Sequence, residues 1–202
     1  MSIFAKDTKE ETFWKWFEKN KDDLFHFEKD TEAVFDRLAE AMSKVHGDLT
    51  FEFSPVRDDG SREFVISAGG IKAGFPSVES LHAAAPSLPR WVFLKYRQRR
   101  FPINDIEFAE RKVKSSDVHY AIFKDDDPKK LGIMIFLDGY TEENKESVWG
   151  QIGYLFLDEA LGEFDVETYV GAIVLFGRAS KYFEHASPLS ELPSHFDKKI
   201  GR

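Results

Sequence analysis

The feature of this sequence that most constrains its fold is an order of predicted elements that occurs twice. In the first half of the chain the order is the strand "LTFEFS", the turn "RDDGS", the strand "EFVIS", the short helix "SVESLHAAA" and the strand "WVFLKYRQR". In the second half it is "VHYAIFK", the turn "DDDP", "KKLGIMIFL", a helix over roughly 143–161 and "VGAIVLF". Alternating or apolar runs bounded by turn residues are typical of strands. The order strand–strand–helix–strand in both halves predicts a structural duplication.

Two helices are predicted to precede the repeated order. Thr8 and Glu11 have the spacing of a capping box, in which each side chain bonds to a backbone N–H of the other residue. A second helix is predicted to start near Asp30 or Thr31 and to end before Gly47, because apolar residues recur between them at helical spacing. The sequence therefore predicts an α+β fold, with a mostly antiparallel sheet from two strand–strand–helix–strand units, preceded by two N-terminal helices.

We expect residues 1–178 to form a single α+β domain, because a chain of 202 residues can bury a core without disulfides. Within it, the helical pair would occupy residues 1–47, the first unit 48–114 and the second unit 115–178. Residues 179–202 are predicted to form a loosely attached C-terminal tail, since two prolines interrupt them.

The composition argues against several classes of site and partner. The chain has no cysteine, which excludes disulfides, thiolate metal sites and a cysteine nucleophile. Its net charge of −8 argues against general affinity for nucleic acid or anionic membranes. No apolar run reaches about 18 residues and the start lacks the layout of a signal peptide, so we expect a cytoplasmic protein without a membrane partner. The six histidines have no metal-binding spacing, so we expect no metal and no cofactor.

The segment "YLFLDEALGEFDVETYVGAIVLF" places acids between two apolar runs. At about 100° per residue, Glu159 falls inside the apolar stripe of the predicted helix, whereas Asp158 points away from it. A buried carboxylate must be protonated, paired or bound to a metal. One interpretation makes Glu159 structural, paired with an Arg or Lys beside a left-handed Gly162 at the helix end. The alternative is a metal-assisted or acid–base hydrolase in which Glu159 acts with Asp158, Glu163 or Asp165.

The segment "RWVFLKYRQRR" concentrates positive charge in an acidic chain, and residues 90–114 contain eight Lys or Arg against three acids. Alternation would place aromatic and basic side chains on one sheet face: Trp91, Phe93, Lys95, Arg97 and Arg99. Such a face can bind RNA or a nucleotide, but the chain has no RNA-recognition motif, which makes nucleic acid an unfavoured partner. The favoured interpretation pairs these cations with the acids of residues 158–167, within the chain or across a dimer.

A glycine-containing loop between a predicted strand and a predicted helix is a further candidate. Gly69, Gly70 and Lys72 lie in this loop, and Ser77 is the candidate N-cap of the helix. Helix N-termini attract anions, so these residues are a candidate site for a phosphate or a carboxylate. The spacing matches neither the dinucleotide-binding motif nor the P-loop, and a turn that needs positive φ angles is the simpler explanation.

Two segments, "ISAGG…FPSVESLHAAAPSLPRW" and "LDEALGEFDVETYVGAI", resemble uncharacterised bacterial proteins that are classed as domains of unknown function. Some proteins of this kind lie near toxin–immunity loci, so the resemblance implies a binding or immunity-like role and supplies no catalytic residues. We therefore expect a non-enzymatic protein that binds a protein partner, with a homodimer as one form of this binding. We expect the exposed contact surface to include Trp91, Arg97 or the acids of residues 158–167, because acidic surfaces recognise basic partners.

Overall fold

The structure is a computed structural model that describes residues 6–141 and 147–202. The chain divides after Arg97 into two compact units, termed the N-terminal unit and the C-terminal unit. Residues 98–114, which the sequence assigned to the first repeat, therefore belong to the C-terminal unit. None of the helices in the described ranges combines the length and the apolar character needed to cross a membrane.

The N-terminal unit contains two helices followed by the predicted strand–strand–helix–strand order. Its elements are α1 (Lys9–Phe25), α2 (Thr31–Ser43), β1 (Thr50–Phe53), β2 (Arg62–Ser67), α3 (Phe75–Ala83) and β3 (Trp91–Lys95). The three strands form one sheet in the order β1-β2-β3, in which β1 is antiparallel and β3 is parallel to β2. A parallel neighbour requires a crossover connection, and α3 provides it.

The capping box predicted for α1 is confirmed. The backbone N–H of Thr8 donates to Glu11 Oε2 at 2.8 Å, and the N–H of Glu11 donates to Thr8 Oγ1 at 3.1 Å. The cap fixes the start of a helix whose aromatic face is buried: Phe17 contacts Trp91 in an edge-to-face arrangement with ring centroids 5.0 Å apart. Rings of α1 and of the sheet form part of the core of this unit, together with aliphatic side chains of α2 and α3.

The C-terminal unit contains the second repeat together with additional elements. Its elements are β4 (Ile106–Phe108), β5 (Arg111–Val113), β6 (His119–Lys124), β7 (Leu131–Phe136), α4 (Ser147–Leu161), α5 (Glu163–Tyr169), β8 (Val170–Phe176), β9 (Ser187–Pro188) and α6 (Leu192–Ile200). Strands β4 and β5 form a separate hairpin, and the other four form a sheet in the order β8-β7-β6-β9. The predicted start of α4 near residue 143 lies outside the described residues.

The repeated order predicted from the sequence is confirmed. In the C-terminal unit β6 is antiparallel and β8 is parallel to β7, which matches the arrangement of β1, β3 and β2. Antiparallel pairs also form between β4 and β5 and between β6 and β9. The prediction of an α+β fold with mostly antiparallel pairing, preceded by two helices, is therefore correct.

Residues 179–202 differ from the predicted loose tail. Strand β9 pairs with β6, and the side chains of Leu192 and Phe196 in α6 are fully buried in the core of the C-terminal unit. These two residues are four apart and lie on one helix face, which anchors the segment. Pro193 lies in the first turn of α6, where a proline is tolerated because its missing N–H has no partner inside the helix.

Candidate functional site

Glu159 lies at the end of α4, which runs to Leu161 as predicted. The side chain is half-buried, and its Oε2 accepts hydrogen bonds from Asn104 Nδ2 at 2.9 Å and from the backbone N–H of Asn104 at 3.3 Å. The predicted partner, an Arg or a Lys, is therefore replaced by an amide. Gly162 has the predicted positive φ of 80°, but its ψ of 147° is extended, and the residue is also the N-cap of α5.

The first turn of α5 contains two buried acids. Glu163 is fully buried, and the side chain of Asp165 is 9% exposed. Acids in the first turn interact favourably with the helix dipole. Asp165 Oδ2 also accepts hydrogen bonds from Arg99 at 2.7 Å and from Arg202 at 2.8 Å, so this carboxylate is neutralised by two cations of its own unit.

Arg99 is the centre of a network that we term the Arg99 clamp, formed by Arg99, Asp165, Asp197, Arg202 and the carbonyl of Leu161. The Arg99 guanidinium donates from Nε to the Leu161 carbonyl at 2.8 Å and from its two terminal nitrogens to both carboxylate oxygens of Asp197, at 2.9 and 2.8 Å. The hydrogen bond from Arg99 lowers the pKa of Asp197, and the same bond raises the pKa of Arg99. The predicted pairing of the basic segment with the acids of residues 158–167 forms within the chain for Arg99 and Asp165.

The other candidate residues of the basic segment do not share one exposed face. Trp91 is 9% exposed and lies in the core of the N-terminal unit, so the expectation of an exposed Trp91 is wrong. Strand β3 ends at Lys95 because Tyr96 adopts a left-handed φ of 61°, and this breaks the alternation on which the prediction depended. Lys95 pairs with Glu79 at 2.7 Å, and Arg97 pairs with Glu52.

The glycine loop forms a turn with the positive φ angles that its glycines permit. Gly69 and Gly70 have φ angles of 58° and 79°. Helix α3 begins at Phe75, so Ser77 lies inside the helix and the prediction that it is the N-cap is wrong. Lys72 is exposed in a short 3₁₀ turn before the helix. Gly69 and Gly70 therefore provide the backbone conformation of a turn, and Ser77 belongs to the helix that follows it.

Two of the acids named in the hydrolase hypothesis, Glu159 and Asp165, take part in different contacts. Glu159 bonds to Asn104, whereas Asp165 meets Asp197 around the Arg99 guanidinium. Within residues 6–141 and 147–202, no three His, Asp or Glu side chains are grouped so that they could hold a metal ion.

Phe101 is 95% exposed, and none of the sequence patterns described above predicted it. The backbone on both sides of it is held: the N–H of Arg100 donates to the Glu159 carbonyl at 2.7 Å, and Asn104 bonds to the Glu159 side chain. Phe101 is therefore presented on a fixed segment. The motif "RRFPIN", an apolar residue between arginines and a proline outside any strand, is the sequence feature that could have indicated it.

A cavity of about 250 Å³, whose described lining residues carry no charge, lies beside Phe101 in the C-terminal unit. Its lining residues are apolar or hydroxyl-bearing: Phe101, Pro102, Ile103, Ser115, Ser116, Pro188, Leu189, Ser190 and Pro193. Phe101 and this lining together are termed the Phe101 surface. The lining is unusual for a chain in which 32% of the residues are charged.

Comparison of the chain with models of protein families, with curated proteins and with solved structures gave no match. The resemblance to bacterial domains of unknown function therefore stays a prediction.

Proposed function

We propose that this chain is a non-enzymatic, cytoplasmic protein-binding module whose contact surface is the Phe101 surface, and that its partner there is a second copy of the chain. The observation that carries this proposal is the 95% exposure of Phe101 on a segment held by hydrogen bonds. The wider role in this proposal is recognition of other proteins in the manner of immunity proteins. The net charge of −8 favours basic partners for that role.

The energetic argument begins with the phenyl ring of Phe101. Removing a phenylalanine side chain from water stabilises a complex by about 1.5–3 kcal/mol. A segment that is already ordered loses little conformational entropy on binding, so more of this stabilisation is retained in the complex. Exposed aromatic anchors of this kind dominate the binding energy of protein interfaces.

The charge and the shape of the Phe101 surface indicate that its partner is a second copy of the chain. Two copies of a chain with a net charge of −8 repel one another across most surfaces, but the residues described in the lining of the Phe101 surface are all uncharged. A two-fold axis at this surface would place Phe101 of each copy at the cavity of the other, since the ring and the cavity are adjacent. A cavity of about 150 Å³ holds a benzene molecule in other proteins, so a volume of about 250 Å³ accommodates a phenyl ring.

Sedimentation equilibrium tests the proposal directly. We expect the wild-type chain to form a dimer at micromolar concentration and Phe101→Ser to sediment as a monomer. Ile71→Ser is the matched control, because Ile71 is an exposed apolar residue (48%) of a turn outside the Phe101 surface and its replacement should leave the dimer intact. Because Phe101 is exposed, its replacement should not change the circular dichroism spectrum. A monomeric wild-type chain, or a Phe101→Ser variant that dimerises like the wild type, contradicts the proposal.

A further inference from the structure

A second cavity of the C-terminal unit, of about 420 Å³, differs in chemistry from the cavity beside Phe101. Its lining combines residues of β5, the loops after β5 and β7, and α4: Arg111, Lys112, Val113, Lys114, Asp117, Asp138, Gly139 and Trp149. It is termed the basic cavity. The volume lies within the range of about 300–1,000 Å³ that is typical of sites for small molecules.

The charges of the basic cavity favour an anion. Among the described residues, three cations and two acids line it, in a chain whose net charge is −8. In the described part of the chain, neither Lys112 nor Lys114 takes part in an ion pair. The Arg111 guanidinium lies 4.9 Å from the centre of the Trp149 ring, a cation–π contact that holds it at the cavity.

The Trp149 ring forms part of the wall of the basic cavity. The residue is 4% exposed, and its indole N–H has no hydrogen-bond partner among the described residues. A buried donor without an acceptor costs about 1–3 kcal/mol, so such groups are normally satisfied. The nitrogen is closed to solvent, so a molecule in the cavity does not reach this N–H, and Trp149 offers a ligand the surface of its ring.

We propose that the basic cavity binds a small molecule that carries an oxyanion, a phosphate or a carboxylate, together with hydroxyl groups. Arg111 and Lys114 pair with the oxyanion, since charge-assisted hydrogen bonds from Arg and Lys to such groups are the strong ones. The side of the Trp149 ring that lines the cavity packs beside the ligand. Asp117 and Asp138 accept hydrogen bonds from the ligand's hydroxyls, so a polyhydroxylated anion fits the lining better than a bare anion. The proposal is independent of the function proposed for the Phe101 surface.

The indole N–H signals in a ¹H–¹⁵N NMR spectrum test this site. The chain has four tryptophans, and Trp149→Phe identifies the signal of Trp149. Ribose 5-phosphate and gluconate are titrated separately at constant ionic strength, so that the two arms distinguish a phosphate from a carboxylate. We expect a saturable shift of the Trp149 signal with one of them below about 10 mM, the affinity range of a few charge-assisted hydrogen bonds.

Two charge variants and one control define the outcome. Arg111→Gln and Lys114→Gln should each weaken binding by about tenfold, the effect of one charge-assisted hydrogen bond. Lys198→Gln, which replaces an exposed lysine of α6 outside the cavity, should bind as the wild type does. Lys114 is exposed, so its variant tests the site even where Arg111→Gln affects folding. The proposal is overturned when neither ligand shifts the Trp149 signal saturably, or when Lys114→Gln binds as tightly as the wild type.

Discussion

Replacement of Arg99 by alanine is the most direct perturbation of the C-terminal unit. Arg99 connects three elements, because its guanidinium bonds to the last residue of α4, to Asp165 in α5 and to Asp197 in α6. Alanine removes all of these hydrogen bonds. It leaves the nearly buried Asp165 with Arg202 as its partner within the clamp, and that arginine is about half exposed.

The expected loss in free energy of unfolding follows from how exposed the side chains of the Arg99 clamp are. Breaking a fully buried ion pair costs about 3–5 kcal/mol. An exposed pair contributes about 0–1 kcal/mol. The Arg99 clamp lies between these limits, since Arg99 and Asp197 are about one-third exposed and Asp165 is 9% exposed. We therefore expect Arg99→Ala to lower the free energy of unfolding by about 2–3 kcal/mol. For a chain of this size the loss corresponds to a decrease in Tm of about 4–12 °C.

Thermal unfolding followed by circular dichroism, at several pH values, provides the assay. Arg99 lowers the pKa of Asp197 in the folded state, so the paired carboxylate stabilises the fold above its unfolded pKa and loses this effect on protonation. The difference in Tm between wild type and Arg99→Ala should therefore be complete at neutral pH and decrease below about pH 4. Arg37→Ala is the matched control, since Arg37 forms an exposed pair with Asp23 at 3.5 Å. Equal Tm values for Arg99→Ala and Arg37→Ala at neutral pH would refute the reasoning.

Two further variants test where the structure places aromatic side chains. Trp91→Ala should lower the free energy of unfolding by about 3–5 kcal/mol in urea titrations, because Trp91 is buried in the core; an exposed binding residue would change it by less than about 0.5 kcal/mol. Burial raises the pKa of Tyr120 to about 12, so its neutral form stabilises the fold and this contribution is lost as the pH rises from about 10 to 12. Tyr120→Phe should therefore show a smaller loss of Tm than the wild type over that pH interval, and an equal loss would contradict the assignment.

The fold was predictable to the extent that it depends on local patterns. The capping box of Thr8 and Glu11 is a contact between residues three apart, and it forms as the sequence indicates. The repeated order of strands and helices was also visible, because apolar periodicity and turn residues act within short windows. Each repeat then pairs its strands in the same way, since a short turn gives an antiparallel neighbour and a helical crossover gives a parallel one.

The sites were less predictable because they depend on single backbone angles and on distant contacts. The predicted basic face required strand geometry as far as Arg99, and the left-handed φ of Tyr96 ends it after Lys95. Glu159 falls in the apolar stripe of its helix by angle alone, but Asn104, 55 residues earlier in the chain, bonds to it. No local pattern contains that contact. The C-terminal segment was mispredicted for the same reason. Leu192 packs into a core whose other residues lie mostly much earlier in the chain, and the sequence around Leu192 does not indicate that contact.

The eight cations of residues 90–114 show why charge counted along a sequence does not locate a binding site. Lys95, Arg97 and Arg99 are held in ion pairs with acids of their own units, so these cations are already neutralised. Lys112 and Lys114, at the end of the same run, line a cavity and form no ion pair in the described part of the chain. The two groups of cations differ in whether an acid lies within ion-pair distance, and only the fold determines this. The segment between them carries Phe101. The cavity beside Phe101 and the basic cavity have no described lining residue in common, although Ser115 and Ser116 of the first lie between Lys114 and Asp117 of the second. Self-association should therefore respond to Phe101 and ligand binding to Lys114, each without the other.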